Sequence, residues 1–156
     1  KAGFSILDQD DCRNILRDVM HRDHGGDGDM VELAQSTISN LKNDLQTPAQ
    51  ALAAATSPQE QLIAQVYEAY QRMLKAYNAV DFDDLIMVPT LLLQNDPVVQ
   101  QRWQKRIRYL LVDEYQDTNT SQYALVKLLV GQRAGLTVVG DDDQSIYAWR
   151  GARPEN

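Results

Sequence analysis

The chain has 156 residues, 44% hydrophobic and 24% charged, an ordinary globular composition for one domain or two small ones. With 22 acidic against 15 basic residues its net charge is −7, which excludes a generally basic nucleic-acid-binding surface and leaves only local contacts. The single cysteine, Cys12, excludes an internal disulfide and a cysteine-rich zinc cluster. No apolar run approaches the ~20 residues that span a bilayer, so no membrane partner is expected. No signal peptide is legible at Lys1-Ala2-Gly3-Phe4-Ser5, and the expected compartment is cytoplasmic.

Phe4 to about Met20 reads as a first helix, with Ser5 and Asp8 as candidate caps and Ile15, Leu16 and Val19 as its apolar stripe. His21 to Asp29 mixes three glycines with charges and reads as a loop. His21 and His24 lack a third ligand, and Asp27-Gly28-Asp29 lacks the distal Glu of a calcium loop, so neither is expected to hold metal. Residues 30–45 form a second helix on Val31, Leu33, Ala34, Ile38, Leu41 and Leu45. Thr47-Pro48 opens a short helix through Ala55. Ser57-Pro58-Gln59-Glu60 combines a Ser cap, a first-turn Pro and a Glu three residues after the cap. The helix it opens runs to about Ala79, and its stripe includes Tyr67, Tyr70 and Tyr77, which at this spacing read as core. Asp81 is the expected cap of a helix over 82–93, where Leu85-Ile86-Met87-Val88 is apolar all round and expected to be buried. Asp96-Pro97 starts a basic helix through Lys105; Arg102, Lys105, Arg106 and Arg108 cluster there.

After residue 107 the pattern changes. Tyr109-Leu110-Leu111-Val112 is a short apolar run that ends in Asp113-Glu114-Tyr115-Gln116-Asp117. Thr118-Asn119-Thr120-Ser121 caps a helix from about Gln122 to Val130, stopped by Gly131. Leu136-Thr137-Val138-Val139 then ends in Gly140-Asp141-Asp142-Asp143-Gln144. Strand, helix, strand is a βαβ unit, and acids leaving two such strands suggest the carboxyl edge of a parallel sheet, where ligands bind in open α/β folds. Two adjacent carboxylates at a strand end suit nucleotide hydrolysis, one held on Mg²⁺ and one on the attacking water. Acid clusters also suit a metal-dependent nuclease, although no nearby catalytic lysine or histidine is evident. Three consecutive acids, Asp141 to Asp143, repel one another and need neutralising partners or solvent; Arg150 and Arg153 are candidates.

Asp113-Glu114-Tyr115-Gln116-Asp117-Thr118-Asn119, followed by Val139 through Gln144-Ser145-Ile146-Tyr147-Ala148-Trp149-Arg150-Gly151-Ala152, closely resembles two consecutive signature motifs of the UvrD/Rep/PcrA superfamily 1 DNA helicases. Asp81-Phe82-Asp83-Asp84-Leu85 resembles a further, weaker element. The resemblance implies an α/β chain, mostly α-helical. Residues 1–79 would be a helical insert subdomain, and residues 80–156 a partial P-loop NTPase (RecA-like) motor domain. It implies ATP and Mg²⁺ as cofactors, with Asp113 in the magnesium shell, Glu114 as base for the attacking water, and Gln144 as γ-phosphate sensor. Arg150 would bridge to a motif carboxylate or reach a phosphate. Tyr147, Trp149 and Arg150 would meet DNA, since aromatic faces stack on any base. Lys42-Asn43 matches a position the family uses and reads equally well as an exposed helix end.

The same resemblance implies an ATP-dependent 3′-to-5′ translocase acting in replication and repair on single-stranded and 3′-tailed duplex DNA. No Gly-x-x-x-x-Gly-Lys-Ser/Thr occurs in the sequence. The chain therefore reads as an internal piece, partnered by the remaining helicase domains and inactive alone. The other reading from a different class is a non-catalytic DNA-binding or regulatory module whose acids are relics.

Overall fold

The computed structural model describes residues 3–23, 28–107, 109–112, 119–130, 135–139 and 146–149. The chain divides into two compact units, Lys1–Leu85 and Ile86–Asn156.

The first unit runs β1 (Ser5–Ile6), α1 (Gln9–Asp23), α2 (Gly28–Asn43), α3 (Pro48–Ala54), α4 (Pro58–Ala76) and β2 (Ala79–Val80). The helix expected from Phe4 starts only at Gln9. The Asp8 carboxylate accepts the Asp11 N–H at 2.8 Å and fixes that start. The residues before it pair in parallel with β2, Ser5 opposite Ala79 and Ile6 opposite Val80. No local pattern announces that pairing, because the partners lie at opposite ends of the unit.

The other helix starts follow from local chemistry. Thr47 and Gln50 form a reciprocal capping box at α3. Ser57 Oγ accepts the Glu60 N–H at 3.1 Å at α4. The α2 end is closed by Gln46 N–H on the Leu41 carbonyl and Leu45 N–H on the Lys42 carbonyl. This is the double closure that normally uses glycine. Here Leu45 takes it with φ +59°, a left-handed conformation that strains a branched side chain. Asn78, at φ +53°, takes the same left-handed conformation after α4 at the lower cost of an Asn, its N–H closing on the Lys75 carbonyl. Its carbonyl then accepts the Ser5 N–H, so the turn that stops α4 also seeds the β1–β2 pair.

Helices α1, α2 and α4 close one core around Leu16, Met20, Val31, Ile38, Val66 and Leu74. Each such side chain contributes roughly 1.5–3 kcal/mol by leaving water. Tyr67 and Tyr70 belong to this core as expected, whereas Tyr77, at the α4 C-cap, is 60% exposed.

Helix α5 (Asp84–Asn95) starts in the first unit and continues into the second. It is not buried all round. Met87, Thr90 and Leu93, three residues apart, make one buried stripe, while Val88 and Leu92 are exposed. Then come α6 (Pro97–Arg106), β3 (Tyr109–Val112), α7 (Thr120–Leu129), β4 (Gly135–Val139) and β5 (Ile146–Trp149). Asp96 caps α6, and Asn119 caps α7 in a box with Gln122. Gln104 of α6 donates to the Leu128 carbonyl of α7 at 3.0 Å. β3 and β4 are parallel with α7 between them in the chain, the expected βαβ unit. β5 adds a third strand, antiparallel to β4, which the sequence reading does not include. The described chain is thus mostly helical, with short parallel pairings, an α/β fold in the coarse sense.

Candidate functional site

The β3–β4 register places Val112 opposite Val138. Asp113 therefore follows the carboxyl end of one parallel strand, and Gly140 follows that of its neighbour. Asp113, Glu114, Gln144 and Arg150 themselves lie outside the described residues, as do Asp141, Asp142, Asp143 and Arg153. Tyr147 and Trp149 lie in β5, opposite Val138 and Leu136. β5 runs back along β4 from its carboxyl end, so Trp149 sits about 10 Å along the strand from Ile146 at ~3.3 Å per residue. As a donor set, hard carboxylate oxygen at Asp113 suits Mg²⁺. Among the described residues no group of three His, Cys, Asp or Glu could hold a metal ion.

The described chemistry concentrates in the first unit. Lys42, which the sequence left open as an exposed helix end, is fully buried. Its Nζ donates to Asp81 Oδ2 at 2.7 Å and reaches Asp84 Oδ1 at 2.9 Å. The Tyr70 hydroxyl donates to the same Asp81 oxygen at 2.8 Å. The other Asp81 oxygen accepts the Asp84 N–H at 2.9 Å and so caps α5, as the sequence predicts. The rings of Tyr70 and Tyr67 lie 5.2 and 5.9 Å from the ammonium. One lysine thus ties α2 to the start of α5.

Burial governs the titration here. Desolvation first, partly offset by Lys42, holds the Asp84 carboxyl above the usual carboxylate range. Burial and then the neighbouring carboxylates push the Tyr67 and Tyr70 phenols well up, which keeps both hydroxyls protonated as donors. Tyr67 donates to the Gln46 carbonyl at 2.9 Å, just past the α2 end. Burial likewise raises the Cys12 thiol. A signal for Lys42 does exist in the sequence: Asp81, Asp83 and Asp84 crowd an apolar junction, and buried acids call for a cation.

Of the basic cluster, Arg102, Lys105 and Arg106 are exposed on α6, with the Arg106 guanidinium 5.8 Å from the Trp103 ring; Arg108 lies outside the described residues. No helix among the described residues is long and apolar enough to cross a membrane.

The family described as UvrD/REP helicase N-terminal domain matches residues 1–156. Over its whole length the chain is 58% identical to the ATP-dependent DNA helicase Rep of Escherichia coli strain K12 and to that of Salmonella typhimurium strain LT2. In each case it spans 23% of that protein. It is 46% identical to the ATP-dependent DNA helicase PcrA of Staphylococcus aureus strain COL, of which it spans 22%.

Proposed function

The chain belongs to the UvrD/REP helicase family, and from that premise we propose that it supplies half of an MgATP site and its link to single-stranded DNA. Residues 1–79 form the helical insert of a first motor domain, and residues 80–156 part of its P-loop-type core. The supporting observation is the parallel β3–β4 pair, whose neighbouring carboxyl ends lead into Asp113 and into the segment carrying Gln144.

Asp113 would hold Mg²⁺, which when bound neutralises the phosphate oxygens. Glu114 Oε takes the proton of the attacking water. The Gln144 amide donates to a γ-phosphate oxygen without adding charge, and Arg150 bridges from the same segment to a carboxylate or phosphate. Tyr147 and Trp149 stack on bases, each worth ~1–3 kcal/mol with little sequence preference. Gln144 and Trp149 lie within one short segment, so a phosphate-driven shift of the first moves the second. The whole protein would move 3′ to 5′ along single-stranded DNA in the cytoplasm and open 3′-tailed duplexes in replication and repair, together with its other helicase domains.

Without a phosphate-binding loop the chain alone does not turn over ATP. The test replaces the matched segment of the Escherichia coli Rep protein with this chain. Single-stranded DNA should stimulate ATP hydrolysis by the chimera and not by the chain alone. An inert but folded chimera, or DNA-stimulated turnover by the chain alone, would overturn the reading.

A further inference from the structure

The proposed ATP and DNA roles leave α6 (Pro97–Arg106) unused. From Pro97 to Ile107 the sequence holds no acid, and Arg102, Lys105 and Arg106 make this helix strongly basic in a chain of net charge −7. All three are exposed, and none makes an ion pair among the described residues. Asp96, the acid that precedes the helix, is engaged as its cap and accepts the Val98 and Val99 N–H groups. Steps of three and four residues set Val98, Arg102, Lys105 and Arg106 on one face. Gln104 lies about 200° around the helix from Arg102 and donates to the Leu128 carbonyl of α7. The cationic face therefore points away from α7.

An aromatic ring borders that face. Trp103 sits one turn before Arg106, whose guanidinium is 5.8 Å from the ring, and 45% of the tryptophan surface is still exposed. Guanidinium and ammonium groups suit phosphate oxygens. A bare indole face stacks on a base of any kind. An acidic peptide answers the charge but brings no base to the ring. A duplex brings phosphates but keeps its base faces inside the stack. A single strand offers phosphates and open base faces together, and so fits both features.

We propose that the outward face of α6 binds single-stranded DNA, with Arg102, Lys105 and Arg106 on its phosphates and Trp103 on a base. The kind of strand rests on the DNA reading above; the contact itself does not. The test follows, by fluorescence anisotropy, the binding of a labelled oligothymidylate of about 15 nucleotides to the whole chain. Salt is raised from about 20 mM, where phosphate contacts are strongest. Arg102→Gln, Lys105→Gln and Arg106→Gln together should weaken binding at least about tenfold at low salt. They should also flatten the slope of log affinity against log salt by about 2, at ~0.7 for each phosphate contact of a single strand. Trp103→Ala should weaken binding at least about fivefold and leave the slope unchanged, and Trp103→Phe should restore most of the loss. An abasic strand should bind the Trp103→Ala chain and the unsubstituted chain alike. Arg17→Gln, Arg22→Gln and Lys75→Gln remove the same charge from exposed positions of the first unit. They should change affinity less than about threefold. Equal losses from the two cation triples would reduce the effect to net charge and overturn the proposal. So would an unchanged affinity in Trp103→Ala, equally tight binding of a glutamate peptide, or no binding at about 20 mM salt. The pair Tyr147→Ala and Trp149→Ala separates this contact from the one assigned to β5. Binding lost with that pair but kept in the α6 variants would overturn the α6 contact. Binding lost only in the α6 variants would uphold it and remove the stacking role of β5.

Discussion

On the proposed reading the two units use their carboxylates in opposite ways. In the first, Asp81 and Asp84 are buried and answered from within by Lys42 and Tyr70. In the second, Asp113 and Glu114 follow the carboxyl end of a parallel strand in the sequence, the place in such folds where ligands bind. Both groups look alike in one dimension: acids crowded after an apolar stretch. What the proposed reading separates them by is the cation. A carboxylate whose counter-charge is already in the fold is structural, and one whose counter-charge must arrive with a ligand is functional. Asp83 stands between these cases, since burial raises its carboxyl and it makes no ion pair among the described residues.

The comparison breaks most visibly at Lys42. Lys42→Met leaves two buried carboxylates without their cation and should destabilise the chain by about 3–5 kcal/mol in urea unfolding. A loss below ~1 kcal/mol would mean that Asp81 and Asp84 are not held by it. Asp81→Asn keeps a side-chain oxygen for the α5 cap but removes one charge from Lys42, and should cost about 2 kcal/mol by the same measurement. Ser57→Ala removes only the α4 cap and should cost about 1 kcal/mol.

These residues also mark how far the sequence could be read. Thr47, Ser57, Asp96 and Asn119 announce helix starts because a cap and its N–H donor lie within three residues. The parallel pair β3–β4 was legible from two apolar runs flanking a capped helix. β1 and β2 were not, since two-residue strands carry no periodicity and their partners are remote. Lys42 was ambiguous for the same reason: its burial is decided by Asp81, 39 positions away. α5 misled because four consecutive apolar residues hide a stripe that only packing selects. Of the candidate site, the order of Asp113, Glu114, Gln144 and Trp149 is a sequence property. The fold adds the strand ends and places Tyr147 and Trp149 in β5.

The smallest expected effect has the opposite sign. The folded state holds the Asp83 carboxyl above its ordinary value of 3.8, so the folded chain keeps a proton that the unfolded chain gives up near that pH. This contribution to stability is greatest below pH 3.8 and falls as pH rises through the window above it. Asp83→Asn should therefore stabilise the chain slightly at pH 7 and flatten that decline. Unfolding at pH 4 and 7 reads both, and a destabilised variant at pH 7 would show that Asp83 is paired after all.

On the proposed reading Glu114 is a carboxylate kept for a ligand. Glu114→Gln in the Rep chimera should cut DNA-stimulated ATP hydrolysis by about 10²–10⁴-fold. MgATP binding should remain within about threefold, because the amide keeps the shape and loses only the base. Turnover within about tenfold of the unsubstituted chimera would contradict the account and return Asp113-Glu114 to the class of acids that merely end a strand.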